Sequence, residues 1–274
     1  MAEGNFYNTV TMLKEAERYR TTNKFLDMLY SELNRSKRLM LTGLGARLTA
    51  VTSSLTEELW GVDINQGSID RAVELTKSWN ECKDKEPFRT EAIFMESKGL
   101  KPNFENYQFY LKGNIPSGLD NSFDGELASE LFLHLDGAKI LDILKEAHCR
   151  LKPDGKFIFT FYPSGYKNSL DAEFRKLCSD YGIDGTDFIK CDEISGDSRT
   201  IKVGKIANIL KRRHDLYEKH RESYWLDLAA IRAFSEEYIQ KLCKDSGFKK
   251  YREEDVTGGG MFHFAHRLAY VMVK

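Results

Sequence analysis

The residues best suited to chemistry fall in three short stretches. An apolar run, Arg38-Leu-Met-Leu-Thr42, stops at Gly43-Leu-Gly45. Glycines there let a backbone come close to a ligand. Asp63 closes a second apolar run, Leu59-Trp-Gly-Val-Asp63. An acid about 20 residues past such glycines can accept two hydrogen bonds from a ribose diol. In the third stretch Ser129, Glu130 and His134 follow a run that begins at Phe123. An imidazole titrates near neutrality and can take a proton from a nucleophile; a packed structural histidine is the competing reading of His134.

The elements that must position these groups alternate. Short apolar runs at 38–42, 59–63, 107–111, 123–129 and 156–161 read as strands. Between and after them, Ile69–Cys82, Ala138–Leu151 and Ile231–Gly247 carry apolar residues at helical spacing. Lys152-Pro-Asp-Gly155 reads as a tight turn, and Phe262–Val273 as a late strand. Residues 8–34 look helical, with Leu13, Ala16, Tyr19, Phe25, Leu26, Leu29, Tyr30 and Leu33 in step and Thr21 or Thr22 as a cap. Strands alternating with helices predict a doubly wound, mostly parallel α/β sheet. In such a sheet ligands sit at the carboxyl ends of the strands, where the strand order reverses.

The run Asn121-Ser-Phe-Asp-Gly-Glu-Leu-Ala-Ser-Glu-Leu-Phe-Leu-His134 resembles the fourth-strand motif of the Rossmann-like (class I) S-adenosylmethionine-dependent methyltransferases. So does Ile140–Gly155, a helix with an apolar stripe leading to an L-K-P-D-G turn and an aromatic strand. Gly61-Val-Asp63-Ile-Asn-Gln-Gly-Ser-Ile69 is similar to the family's acidic ribose motif. The resemblance spans residues 35–162 and, loosely, the end of the chain. It implies a methyl transfer to an O, N or S atom of a small molecule. It also implies that Gly43 and Gly45 face the methionine part of S-adenosylmethionine, that Asp63 holds the ribose and that Ile64 packs on the adenine. Asn114 and Ile115 would meet the adenine edge, and Ser129 and Glu130 would lie beneath the sulfonium.

Two residues depart from the family pattern. Leu41 stands where an acid usually precedes the first glycine, and Arg47 replaces the third glycine. Arg47 either grips the methionine carboxylate or faces solvent. Glu126, inside an apolar strand, is expected at its exposed end. A nicotinamide dehydrogenase is the second reading; it is weakened because G-x-G-x-x-G fails at Leu48 and a Tyr-x-x-x-Lys pair fails after Tyr162, where position 166 is Tyr. A non-catalytic binding protein of the same fold and an RNA or protein methyltransferase are the others. The basic stretch Lys202–Arg221 is interleaved with Asp215 and Glu218 and carries an apolar face, so it reads as a solvated amphipathic helix.

With 274 residues and a formal charge of −1, the chain has no bulk charge that advertises nucleic acid or membrane. No secretory leader and no apolar run long enough to span a bilayer is read. The five cysteines are widely spaced, which suits free thiols in a reducing cytoplasm. No metal-ligand spacing is read; His263 and His266, three apart in the expected last strand, would face opposite sides. The domain reading is a helical cap at 1–34, a catalytic core at 35–162 and 229–274, and an inserted lid at 163–228. Tyr217, Tyr224 and Trp225 are candidate aromatic walls of that lid, and Tyr7, Tyr19 and Arg20 would close the opposite side.

Overall fold

The computed structural model describes residues 21–85, 88–185, 188–191, 198–220 and 228–274. Most of the N-terminal cap, with Tyr7, Tyr19 and Arg20, lies outside them, as do Tyr224 and Trp225.

The core is a seven-stranded sheet. Its strands are β1 (Ser36–Thr42), β2 (Thr56–Asp63), β3 (Tyr107–Leu111), β4 (Phe123–Ala128), β5 (Leu151–Phe161), β9 (Lys249–Asp255) and β10 (Leu268–Val273). Their order is β3-β2-β1-β4-β5-β10-β9. The first five are parallel, and β10 runs antiparallel to both neighbours. The order reverses between β1 and β4, so the ligand crevice of such a sheet opens at their carboxyl ends.

Strand residues alternate between two apolar layers. Leu39 and Leu41 face the layer formed by α1 (Asn23–Leu33), α2 (Ala46–Ser54), α3 (Gln66–Cys82) and α4 (Arg89–Ser97). Met40, Phe157 and Phe159 face α5 (Gly137–Arg150) and α9 (Glu236–Asp245). Thr22 caps α1 by accepting the Phe25 amide, as its position suggests. Glu32 of α1 pairs with Lys156 and Arg252, and Lys24 with Glu254. These pairs fasten α1 to β5 and to the outer strand β9.

The segment after β5 folds. It contains α6 (Leu170–Asp180), β6 (Ile189–Cys191), β7 (Ser198–Ile201), α7 (Val203–Arg212) and α8 (His214–His220). β6, β7 and β8 (Ile231–Phe234) form a second, antiparallel sheet. Val203, Ile206, Ala207 and Leu210 are the buried face of α7, so the basic stretch, expected as one amphipathic helix, is divided at Arg213 between α7, which has an apolar face, and α8. The insertion has its own apolar core, which reaches Leu133, Tyr162 and Phe262 at the rim of the main sheet.

Three elements differ from the sequence pattern, and one strand has no signal in it. Ile231–Gly247 is not one helix: Ile231 and Ala233 fill the insertion's core as a strand, and Ser235 then caps α9 by accepting the Tyr238 amide. β9 was unread because Lys249-Lys-Tyr-Arg-Glu-Glu-Asp255 has no apolar alternation; backbone pairing to β10 makes it a strand. Lys152-Pro-Asp-Gly155 is the irregular start of β5, with a register shift against β4 and Asp154 at φ +62°. The last strand begins only at Leu268; His263 and His266 lie in the turn before it, so strand alternation does not govern them. Among the described residues no three His, Cys, Asp or Glu side chains cluster as metal ligands.

Candidate active site

Three strand ends meet in one corner. β1 ends at Thr42, and Gly43 turns the chain at φ +80°, a conformation that suits glycine. Its amide donates to the Val62 carbonyl (2.9 Å) and carries the β1–β2 ladder one step further. Asp63 then holds the turn: one carboxylate oxygen accepts the Leu44 amide (2.9 Å) and the other the Asn65 amide (2.7 Å). The Asp63 carbonyl accepts the Lys112 amide (2.7 Å), which fixes the chain leaving β3. Each carboxylate oxygen keeps a second acceptor site, which is what a ribose diol requires.

The surroundings are partly apolar and open. Ile64 beside Asp63 is 78% exposed, a large apolar side chain held in the open. No atom stands within 4 Å of the position a side chain on Gly45 would start from. Asn114 is exposed just past β3, its amide bound to the Leu111 carbonyl. Ile115 packs half-buried against the second apolar layer. Gly43, Gly45, Asp63 and Ile64 thus border one corner, an acceptor pair beside apolar surface and open space, and Asn114 and Ile115 follow the neighbouring strand β3.

Arg47 does not face solvent. It is buried, with Nη1 3.6 Å from Glu91 Oε1 of α4. The guanidinium takes part in an internal ion pair. Leu41 is fully buried in the first apolar layer, where a carboxylate would be costly. Glu126 is corrected as well: it lies at no exposed end but is fully buried. Arg150 binds it through Nε (3.1 Å) and Nη2 (2.8 Å), and Thr42 Oγ1 donates to it (2.7 Å). This charge ties α5 to the sheet just beneath the glycine turn.

The ends of β4 and β5 carry a buried polar network. Glu130 sits at φ +59° and is almost wholly enclosed. Tyr162 Oη donates to its Oε2 (2.7 Å), and so does the Met261 amide (3.0 Å). Arg267, 2% exposed, brings Nε to 2.5 Å from Oε1, an ion pair too poorly aligned to be a hydrogen bond. Arg267 Nη2 donates to Ser129 Oγ (2.9 Å) and Thr160 Oγ1 (3.1 Å), while Thr160 Oγ1 accepts the Glu130 amide (2.9 Å). Burial first, and the Glu130 charge second, hold the Tyr162 phenol well above its ordinary range, so it stays a neutral donor.

His134 ends a short 3₁₀ turn (Phe132–His134) after β4. The residue keeps an exposed face, yet protein around the ring desolvates it and lowers its pKa against the opposing pull of Glu130. A lowered pKa favours the neutral, proton-accepting imidazole at neutral pH.

Sequence reasoning missed Thr160 and Arg267 and weighed Tyr162 only as a redox residue. The one available signal was Thr257-Gly-Gly-Gly260, a glycine run ahead of the last strand, which marks a close approach of backbone to other groups.

No family profile and no curated protein matches this chain. Solved structures do. A S-adenosylmethionine-dependent methyltransferase of Methanosarcina mazei is 15% identical, covers 90% of this chain and 96% of its own, and gives a TM-score of 0.50. The 1,6-didemethyltoxoflavin-N1-methyltransferase of Burkholderia thailandensis, solved with 1,6-didemethyltoxoflavin and S-adenosylhomocysteine, is 15% identical over 91% and 76% of the two chains, with a TM-score of 0.50. A Rhodobacter sphaeroides structure that carries a Zn-dependent alcohol dehydrogenase name is 11% identical over 92% and 90%, with a TM-score of 0.58. At these identities the likeness is one of fold, and the fold is the doubly wound, Rossmann-like α/β fold that these methyltransferases have.

Proposed function

We propose that this chain is an S-adenosylmethionine-dependent methyltransferase acting on an O, N or S atom of a small molecule. The observation that carries the reading is the corner at β1–β2–β3, where the carboxylate of Asp63 stands beside the 78%-exposed Ile64 and the open glycine turn. The bound cofactor would supply an electrophilic methyl group on a sulfonium. Asp63 would hold its ribose, Ile64, Asn114 and Ile115 its adenine, and Gly43 and Gly45 its methionine part. His134 would accept a proton where the acceptor must lose one. A reducing cytoplasm suits the free thiols Cys82, Cys149, Cys178 and Cys243; among the described residues no helix is long and apolar enough to cross a membrane.

The insertion 163–228, extended to Phe234 by β8, would act as the lid over the acceptor. It leaves the sheet at the carboxyl end of β5, where the Phe234 amide donates to the Tyr162 carbonyl and the Ser164 amide to the Phe234 carbonyl, and its core touches Leu133 and Phe262. A lid of this kind excludes water and bulky substrates, which supports a metabolite over RNA or protein. The dehydrogenase reading fits the strand order less well. Dinucleotide-binding sheets run 3-2-1-4-5-6, whereas here an antiparallel β10 lies between β5 and β9.

Calorimetry with S-adenosylmethionine, S-adenosylhomocysteine and NAD tests the reading. Binding of the first two and none of NAD is expected; NAD binding alone would overturn it. A panel of small amines, phenols, carboxylates and thiols, followed by release of S-adenosylhomocysteine, then identifies the acceptor class.

A further inference from the structure

We propose that Glu130 is a positioning residue: its buried carboxylate latches the glycine turn at 257–260 across the carboxyl ends of β4 and β5 and thereby fixes the acceptor-side wall of the site. This rests on the methyltransferase reading only in calling that wall the acceptor side.

The geometry of the latch is dense. Glu130 Oε2 takes the Met261 amide at 3.0 Å and the Tyr162 hydroxyl at 2.7 Å. Tyr162 Oη in turn accepts the Phe262 amide at 3.1 Å. Two successive amides just past the turn therefore end on side chains that follow β4 and β5. At the base of the turn Thr257 Oγ1 accepts the Arg267 amide (3.1 Å), and the Val256 amide donates to the Arg267 carbonyl (3.0 Å). Arg267 also balances the Glu130 charge from the other side. The turn is shaped to the latch: a Cβ on Gly260 would stand 2.6 Å from Tyr162 Oη and 2.7 Å from Glu130 Oε1, closer than side-chain carbons approach such atoms.

The backbone of Glu130 supports the same conclusion. A positive φ is unfavourable for a non-glycine residue and persists where the surroundings over-determine it. Here the Glu130 amide is held by Thr160 Oγ1 and the side chain by Tyr162, Met261 and Arg267. With its oxygens so engaged, Glu130 is poorly placed to take a proton from an acceptor. The division of labour that follows gives His134 the exposed, titratable role and Glu130 the fixed one. Phe262, the second latched residue, belongs to the insertion's apolar core, so the latch also joins the lid to the sheet.

Hydrogen exchange across residues 256–263 is the first test, in Glu130→Gln, Tyr162→Phe and Glu130→Gly. Each should speed exchange at Met261 and Phe262 on the order of tenfold, as expected for losing a charge-assisted or buried bond. Glu130→Gly separates latch from strain, because glycine relieves the positive φ yet removes the carboxylate. The family resemblance puts Ser129 and Glu130 beneath the sulfonium; the latch instead predicts that S-adenosylhomocysteine affinity, read by calorimetry, stays within about threefold, because the Glu130 oxygens are engaged by Tyr162, Met261 and Arg267. With the panel compound that the wild type turns over best, KM should rise more than kcat falls. Unchanged exchange in all three variants would overturn the latch. So would affinity for S-adenosylhomocysteine falling in step with exchange, which would put Glu130 in the cofactor pocket. If the wild type binds no S-adenosylhomocysteine, the methyltransferase reading fails, while the exchange result still decides the latch.

Discussion

At the ends of β2 and β3 the polar groups are left open, and at the ends of β4 and β5 they are used up. Asp63 spends one acceptor site per oxygen on its own loop and keeps the others, with Ile64 bare beside it. Glu130 is surrounded by Tyr162, Met261, Thr160 and Arg267 and is almost wholly buried. The two carboxylates follow strands that are neighbours but one in the same sheet. Their difference separates a group kept for a ligand from a group that keeps the fold in shape. A buried charge must be satisfied by the protein itself, whereas a binding group must leave valence for what comes and goes.

The sharpest break in that contrast is Arg267→Met. It strands the Glu130 charge in a buried setting, and removing one partner of a buried pair costs about 3–5 kcal/mol. Urea unfolding should register that loss in full. The double variant Arg267→Met with Glu130→Gln should recover part of it, because the stranded charge is gone. If Arg267→Met is as stable as wild type, the network is not what holds the β4–β5 edge.

Asp63→Ala should have the reverse signature. Stability falls by only about 1 kcal/mol, the worth of a lost turn cap. Affinity for S-adenosylmethionine falls far more, because each charge-assisted bond to a ribose is worth about 1.5–3 kcal/mol. A folded variant with unchanged affinity in calorimetry would remove Asp63 from the cofactor corner and undo the contrast with Glu130.

The same contrast explains what was legible in the sequence. Asp63 and the glycine turn announce themselves by local spacing, since a strand, a tight turn and a strand-end acid are each short-range patterns. Partners are not short-range. Nothing near Glu126 points to Arg150, and nothing near Arg47 points to Glu91, so one was expected at a strand end and the other at a ligand or in solvent. β9 escaped for a related reason: its charged residues pair with α1 across the fold, through Arg252–Glu32 and Lys24–Glu254, and show no apolar rhythm. Ile231–Phe234 reads as the start of a helix until the insertion supplies a second sheet for it to join.

His134 lies between the two regimes, exposed on one side and desolvated on the other. Its folded pKa is below the ordinary value of about 6.5 because burial disfavours the imidazolium more than Glu130 favours it. The sign follows from proton counting: between the two pKa values the unfolded chain binds more protons than the folded one. The stabilising contribution is therefore present above the unfolded pKa and is lost as pH falls through the folded one. Wild-type stability should drop on acidification through that window, and His134→Gln should remove this part of the drop. The kinetic counterpart is a rate that holds at pH values where an ordinary histidine would already be protonated. With a phenol or thiol acceptor, His134→Ala should slow turnover roughly 10²-fold if His134 is the base, with S-adenosylhomocysteine affinity unchanged. With an amine supplied as the free base the loss should be small, because no proton need be taken before attack. A folded His134→Ala variant that keeps the full rate on a phenol at every pH would place His134 with the packed residues rather than with the open ones.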